Sequence, residues 1–247
     1  MQRTRPGRLR AATLRLGATA AVILSLSVAS TAGAGTTAAA TSSGASATAS
    51  AAALDASSWT AVALGGIDPK VFALALESAS TALARGLAQA PATLTVIDYS
   101  KPSTEPRMWI YDLRSRTLLF HELVSHGRGS GKTMATTFSN DAESNMTSLG
   151  LFRTGETYVG HNGYSLRLDG LEHGVNDNAR ERAIVIHGAP YVNAATAKAN
   201  GYLGRSLGCP AVRPEIARQV IDAVKGGGLL FAYYPDPAWL KSSNLLN

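Results

Sequence analysis

The hydrophobic pattern of this chain changes period near Leu94, and that change restricts the fold more than any other feature. Before it, Asp68-Pro69 marks a helix start, an N-cap oxygen followed by proline at the first helical position. Val71, Leu74, Ala75, Leu83 and Leu87 can share one helical face, Gly86 lies near its end and Pro91 closes it, so the pattern predicts a helix over Pro69–Arg85. After it come short β-rich runs bounded by turn residues: Thr93–Tyr99, Met108–Leu113, Thr117–Val124, Ser148–Arg153, Tyr164–Leu168, Ala183–Ile186 and Leu229–Tyr234. Residues 127–145 are polar and Gly-rich and read as a long loop. One late helix is expected from Pro214, with Ile216, Val220, Ile221 and Val224 as its apolar stripe and Gly226 as its stop. Many short strands with few helices predict a mainly β domain, sandwich or barrel-like, preceded by a helix.

The first residues are of another kind. Arg3, Arg5, Arg8, Arg10 and Arg15 form a basic segment with no acid, Leu16–Ala29 is an apolar run of 14 residues, and Ala32-Gly33-Ala34 offers small residues for cleavage. That is the pattern of a secretory signal peptide over residues 1–34, and the run falls short of the ~20 residues a membrane span needs. Residues 35–58 are Ala, Thr, Ser and Gly with hardly a large side chain, and read as a flexible tether. The expected organisation is therefore signal 1–34, tether 35–58, helical leader 59–91 and catalytic domain 92–240. The formal charge of +6 falls to near +1 without the five signal arginines, so the basic balance gives no ground for a nucleic-acid partner.

There is one cysteine, Cys209, so an exported chain of this kind has no internal disulfide, and its thiol must be either buried or used. Two segments supply chemistry around it. Ala183-Ile184-Val185-Ile186-His187-Gly188 is an apolar strand ending in histidine and glycine. Gly204-Arg205-Ser206-Leu207-Gly208-Cys209-Pro210 is a glycine-flanked turn whose backbone N–H groups can approach a bound group closely. A thiol near pKa 8.5 is mostly protonated at neutral pH, and a neighbouring imidazole remedies that. Nucleophile, base and oxyanion donors are thus all available. Metal chemistry has less support: there is no His-Glu-x-x-His and no paired cysteine, and His173 with Asp177 lacks an evident third ligand. Neither a metal nor another cofactor is expected.

His187-Gly188 followed by Ser206-Leu207-Gly208-Cys209 resembles the His-Gly … Ser-x-Gly-Cys signature of YkuD-type L,D-transpeptidases, most closely the murein L,D-transpeptidase catalytic domain branch. The resemblance covers roughly residues 92–235 and includes Phe138-Ser139-Asn140, Ser148-Leu149-Gly150, Arg153-Thr154-Gly155, Gly163 to Leu168, Asn176-Asp177-Asn178-Ala179 and Gly204 to Val212. It implies a YkuD-like β-sandwich or barrel domain acting on peptidoglycan stem peptides in the periplasm or cell wall. It further implies Cys209 as nucleophile, His187 as base, and the Gly188 carbonyl as the group that orients the imidazole. The N–H groups of Gly208 and Cys209 would hold the oxyanion, and Ser206 would brace the turn. Tyr164, Arg167 and Arg205 are the implied substrate contacts, and carbapenems are implied acylating inhibitors.

The chain departs from the wider family at Leu207, where that family often has His or Arg, and after Cys209, where Pro210-Ala211 replaces a pattern with Arg two residues on. Arg205 or Arg213 could take over the role of that arginine. The closer branch does carry Gly-Cys-Pro-Ala-Val. The same dyad would serve an L,D-carboxypeptidase or a sortase-like protein transpeptidase, although the interval of 22 positions from His187 to Cys209 is short for a sortase. A noncatalytic wall-binding protein is the remaining alternative.

Overall fold

The computed structural model describes residues 54–247; the expected signal segment and the tether up to residue 53 lie outside the described residues. A 3-10 turn at Ala56–Ser58, capped by the Asp55 carboxylate, falls within the stretch expected to be tether. Two helices follow, α1 (Ala61–Leu64) and α2 (Pro69–Ala84), the latter capped by Asp68 with proline in its first turn. The buried face of α2 is Val71, Phe72, Ala75, Leu76, Ala79 and Ala82. It is rotated from the expected stripe: Leu74 and Leu83 are half-buried and Leu87 is exposed.

Eight strands form one mixed sheet: β1 (Thr93–Asp98), β2 (Met108–Asp112), β3 (Thr117–Glu122), β4 (Gly150–Gly160), β5 (Gly163–Gly170), β6 (Val185–Gly188), β7 (Ala211–Val212) and β8 (Leu229–Tyr233). Their order is β3-β2-β1-β8-β4-β5-β6-β7. β1 with β8 and β6 with β7 are parallel, and the remaining pairs are antiparallel. The two edges approach each other. Ser125 N–H, just past β3, donates to Ala211 O on β7 at 2.9 Å, and Gly127 forms a parallel bridge to Ser206. Arg213 clasps Glu122 across the same seam through two hydrogen bonds of 3.0 and 2.9 Å. A nearly closed barrel-like sheet is thus the form of the expected mainly β fold.

Alternation along the central strands builds two cores. Leu94, Val96, Tyr111, Leu151 and Phe231 face α2, Trp59 and Trp239. Ile97, Ile110, Phe152, Leu166 and Leu230 face the opposite side, against Ile216, Ala217, Val220, Ile221 and Val224 of α4 (Pro214–Val224). The leader is therefore a packing element of the sheet. Trp59, Phe72 and Tyr111 meet edge to face with ring centroids 4.9 to 5.4 Å apart. Trp109 Nε1 and the Tyr111 hydroxyl donate to the carbonyls of Gly65 and Leu64 at the end of α1, groups the helix itself leaves unpaired. Two further helices, α3 (Ala194–Asn200) and α5 (Pro237–Ser242), add to the single late helix expected. None of the helices among the described residues is long and apolar enough to cross a membrane.

Candidate active site

The candidate site is assembled where β6 and β7 run side by side. Their register sets His187 beside Ala211 and Gly188 beside Val212. Counting back two residues on each strand places Cys209 beside Val185, and the Val185 N–H donates to Cys209 Sγ at 3.4 Å. His187 is on β6, and Cys209 lies two residues before β7, in the turn that leads into it. The thiol itself donates to Ala183 O at 3.7 Å, and among the described residues no hydrogen bond joins it to the imidazole. Ala183 holds a left-handed φ of +53°, strain of the kind that clusters at functional sites.

His187 is buried, and its Nδ1 lies 3.0 Å from Gly188 O. A carbonyl only accepts, so Nδ1 carries the proton and Nε2 of the neutral ring is the acceptor. Burial pulls the His187 pKa below its ordinary value, opposed by the Gly188 carbonyl. Burial pushes the Cys209 thiol upward, opposed by the Val185 N–H and by the charge of Arg182. Both shifts favour the uncharged pair, neutral thiol and neutral imidazole.

The turn before Cys209 is held rigidly. The Ser206 hydroxyl donates to Cys209 O at 2.7 Å and accepts from Gly208 N–H at 3.1 Å, linking both ends of the turn. The Gly208 N–H is thereby engaged by the Ser206 hydroxyl, whereas an oxyanion role was expected of it. Gly208 sits at φ +129°, and a Cβ there would come within 2.8 Å of Met146 O. From the other side, Thr147 donates through its hydroxyl to Gly208 O at 3.3 Å and accepts from Gly127 N–H at 3.0 Å. Ser206 N–H donates to His126 O, and Arg128 N–H to Ser206 O. His126-Gly127 is thus a direct neighbour of the Ser206–Cys209 turn, a link that long sequence separation hid from sequence reasoning.

The three expected substrate contacts are placed differently. Ser165 pairs with His187 across β5 and β6, so Tyr164 projects from the opposite face of the sheet. There its hydroxyl donates to Asp222 at 2.8 Å and its ring lies under Arg218, both on α4. Arg167 shares the face of Ser165 but is turned to Glu156 at 3.0 Å and stacks on Tyr158. Arg205 is exposed and donates to Gly131 O at 3.0 Å. Arg213 is committed to Glu122 at the seam. None of these is brought to the thiol. The cation that is near Cys209 is Arg182, which sequence reasoning passed over. It lines an open cavity of about 800 Å³ together with Ala142, Glu143, Asn145, Asn178, Glu181 and Leu207, the last in the turn before Cys209. Its only sequence signal was its position at the start of the apolar run that ends in His187.

Asn178, from another matched segment, lines the same cavity. Asn140 donates to Asp177 and accepts from Asn178 N–H. Asn176, fully buried, accepts from Glu172 N–H and donates to the carbonyls of Leu149 and Leu151. Among the described residues no group of three or more His, Cys, Asp or Glu side chains could hold a metal ion.

A family model described as L,D-transpeptidase catalytic domain matches residues 64–233. No curated protein matches the chain. Among solved structures, an LD transpeptidase in complex with imipenem is similar at 18% identity, over 58% of this chain and 60% of that one, with a TM-score of 0.35. An L,D-transpeptidase from Mycobacterium smegmatis is similar at 15% identity over 59% and 60%, with a TM-score of 0.37. One from Stackebrandtia nassauensis is similar at 12% identity over 66% and 68%, with a TM-score of 0.35. The chain spans about 60% of the length of the first two of these proteins. The family model, covering more than half of the sequence, decides the matter: the chain belongs to the L,D-transpeptidase catalytic domain family.

Proposed function

We propose that this protein is an exported cysteine L,D-transpeptidase acting on peptidoglycan stem peptides, with Cys209 as nucleophile and His187 as base. The observation that supports the reading is the contact of the turn before β7 with β6, where the Val185 N–H donates to Cys209 Sγ at 3.4 Å two residues before the buried, tautomer-fixed imidazole of His187. Because both groups rest uncharged, the thiol proton passes to His187 Nε2 as sulfur attacks, rather than beforehand. This requires Sγ to rotate from Ala183 O towards the imidazole.

The attacked carbonyl is that of diaminopimelate at its bond to the terminal D-Ala. Sulfur forms a bond to that carbon and the oxygen becomes an oxyanion, with the Cys209 N–H as its backbone donor. Collapse breaks the peptide bond, and His187 returns the proton to the departing D-Ala amine. The resulting thioester is attacked by a side-chain amine on a second stem; His187 takes that amine's proton and gives it to the departing sulfur. The product is a 3→3 cross-link, and the thiol is restored. Residues 1–34 act as the export signal and deliver the domain to the periplasm or cell wall. A solved L,D-transpeptidase carries imipenem, and another, from Mycobacterium tuberculosis, a faropenem-derived adduct. On chemical grounds the same thiol in this chain is acylated by carbapenems.

The test is mass spectrometry of products from disaccharide-tetrapeptide, with the mature protein and its Cys209→Ala variant. A Cys209-dependent dimer lacking one D-Ala supports the reading. A Cys209-dependent monomer shortened by D-Ala replaces it with an L,D-carboxypeptidase, water being the acceptor. Unchanged substrate, or turnover retained in Cys209→Ala, refutes it.

A further inference from the structure

We propose that Arg182 is a positioning residue for the nucleophile, tying the 139–148 wall against the Gly208–Cys209 turn and setting a fixed positive charge beside the sulfur. The proposal rests on the reading of Cys209 as nucleophile. Arg182 Nη1 donates to Ser139 O at 2.8 Å and to the Ser148 hydroxyl at 2.7 Å. Nη2 donates to Met146 O at 2.6 Å and to the Ser144 hydroxyl at 3.2 Å. Two nitrogens thus hold four oxygens of one strandless segment. Nη2 also lies 3.4 Å from where a Gly208 side chain would begin, so the guanidinium abuts the peptide that precedes Cys209. Met146 O, which Arg182 holds, is the same atom that a Gly208 Cβ would strike at 2.8 Å. The turn, the wall and the cation form one contact.

The planar fork explains why arginine stands here. Four oxygens from a segment with no strand of its own need several directed donors, which a lysine ammonium cannot supply at those positions. The half-buried charge does a second thing. Desolvation disfavours a thiolate at Cys209, and Arg182 is the cation whose field opposes that. Arg182 in turn faces the Asp141 carboxylate. The other titratable groups that sense the thiolate are Tyr99 and Tyr191, both held protonated well above neutral pH by burial, with His187 on the adjoining strand. None of these supplies a positive charge at neutral pH, so Arg182 is the fixed cation of the site. The residue takes the place of the missing arginine after Cys209 in charge, although it comes from the other side of the turn.

The experiment is the pH dependence of Cys209 alkylation by iodoacetamide, which needs no muropeptide, with melting temperatures recorded for each protein. Arg182→Gln, which removes the charge, raises the alkylation midpoint by about half a unit or more, equivalent to a ~3-fold lower rate below the midpoint. Arg182→Lys, which keeps the charge and loses the fork, melts earlier yet keeps a midpoint close to wild type. An unchanged midpoint in Arg182→Gln overturns the proposal, as does a shift in Arg182→Lys as large as that in Arg182→Gln. Should Arg182→Gln fail to fold, Glu181→Lys adds positive charge to the same cavity wall from an exposed position. A lower midpoint supports the proposal, and an unmoved one overturns it. Turnover of disaccharide-tetrapeptide is scored separately: an Arg182-dependent thiol on a protein that leaves muropeptides untouched sustains this proposal and sinks the transpeptidase reading.

Discussion

Among the groups through which acid should destabilise this protein, His126 allows a direct test. Its side chain is fully buried, and Arg107 Nη2 lies 2.8 Å from Nδ1. A guanidinium can only donate, so Nδ1 is bare and Nε2–H donates to Gly131 O at 3.3 Å. Burial and the adjacent Arg107 charge lower the His126 pKa from 6.5 to about 4. Between those values the unfolded chain binds a proton that the folded protein rejects. The contribution to stability is therefore complete above pH 6.5 and is lost as pH falls towards 4. A shift of about 2.5 units, at about 1.36 kcal/mol each, amounts to roughly 3 kcal/mol, of which roughly 2 to 3 kcal/mol is gone by pH 4.5. The assay is urea unfolding of wild type and His126→Asn at pH 7 and pH 4.5. Asparagine Oδ1 still accepts from Arg107 but does not titrate. Groups common to both proteins, including His187 and the paired carboxylates, cancel in the double difference. Wild type should lose roughly 2 to 3 kcal/mol more than the variant on acidification. A double difference below about 0.5 kcal/mol would refute the reasoning, because the buried histidine would then titrate alike in both states.

Three further outcomes follow from the same geometry. Gly208→Ala forces a side chain onto Met146 O at a left-handed φ, so it should cost roughly 1 to 3 kcal/mol in urea unfolding and slow Cys209 alkylation; an unaltered alkylation rate would count against the rigid turn. Phe72→Ala should cost roughly 3 to 5 kcal/mol and lower the single unfolding transition, because Phe72 packs on Trp59 and Tyr111 in the sheet's own core; a separate early transition would instead mark the leader as an independent unit. Incubation with imipenem should raise the intact mass by one drug equivalent in wild type and leave Cys209→Ala unmodified; equal labelling of both would exclude Cys209 as the acylated group.

What the sequence determined by itself was local. Asp68-Pro69 and Pro214 fix helix starts through capping and a preset φ, and α2 and α4 begin where those residues predict. Period-2 and apolar runs marked seven of the eight strands, whereas β7, only Ala211–Val212, is too short to carry a period. His187-Gly188 and Ser206-Leu207-Gly208-Cys209 could be singled out in the sequence by residue type and by resemblance, and β6 with the turn before β7 brings the two segments side by side. The rest depended on contacts between distant segments. Parity along β5 turned Tyr164 away from the site, since register with β6 and not side-chain type decides which face a residue takes. The bond from the Gly208 N–H to the Ser206 hydroxyl likewise depends on how the turn folds and not on residue type. Arg182 and His126 read in one dimension as an ordinary arginine and a strand-end histidine. Closure of the sheet put His126 against Ser206 and Arg182 against Gly208, and burial there altered what their charges do. Backbone propensity acts over a few residues and is written along the chain, while desolvation and long-range hydrogen bonding exist only once the chain has folded onto itself.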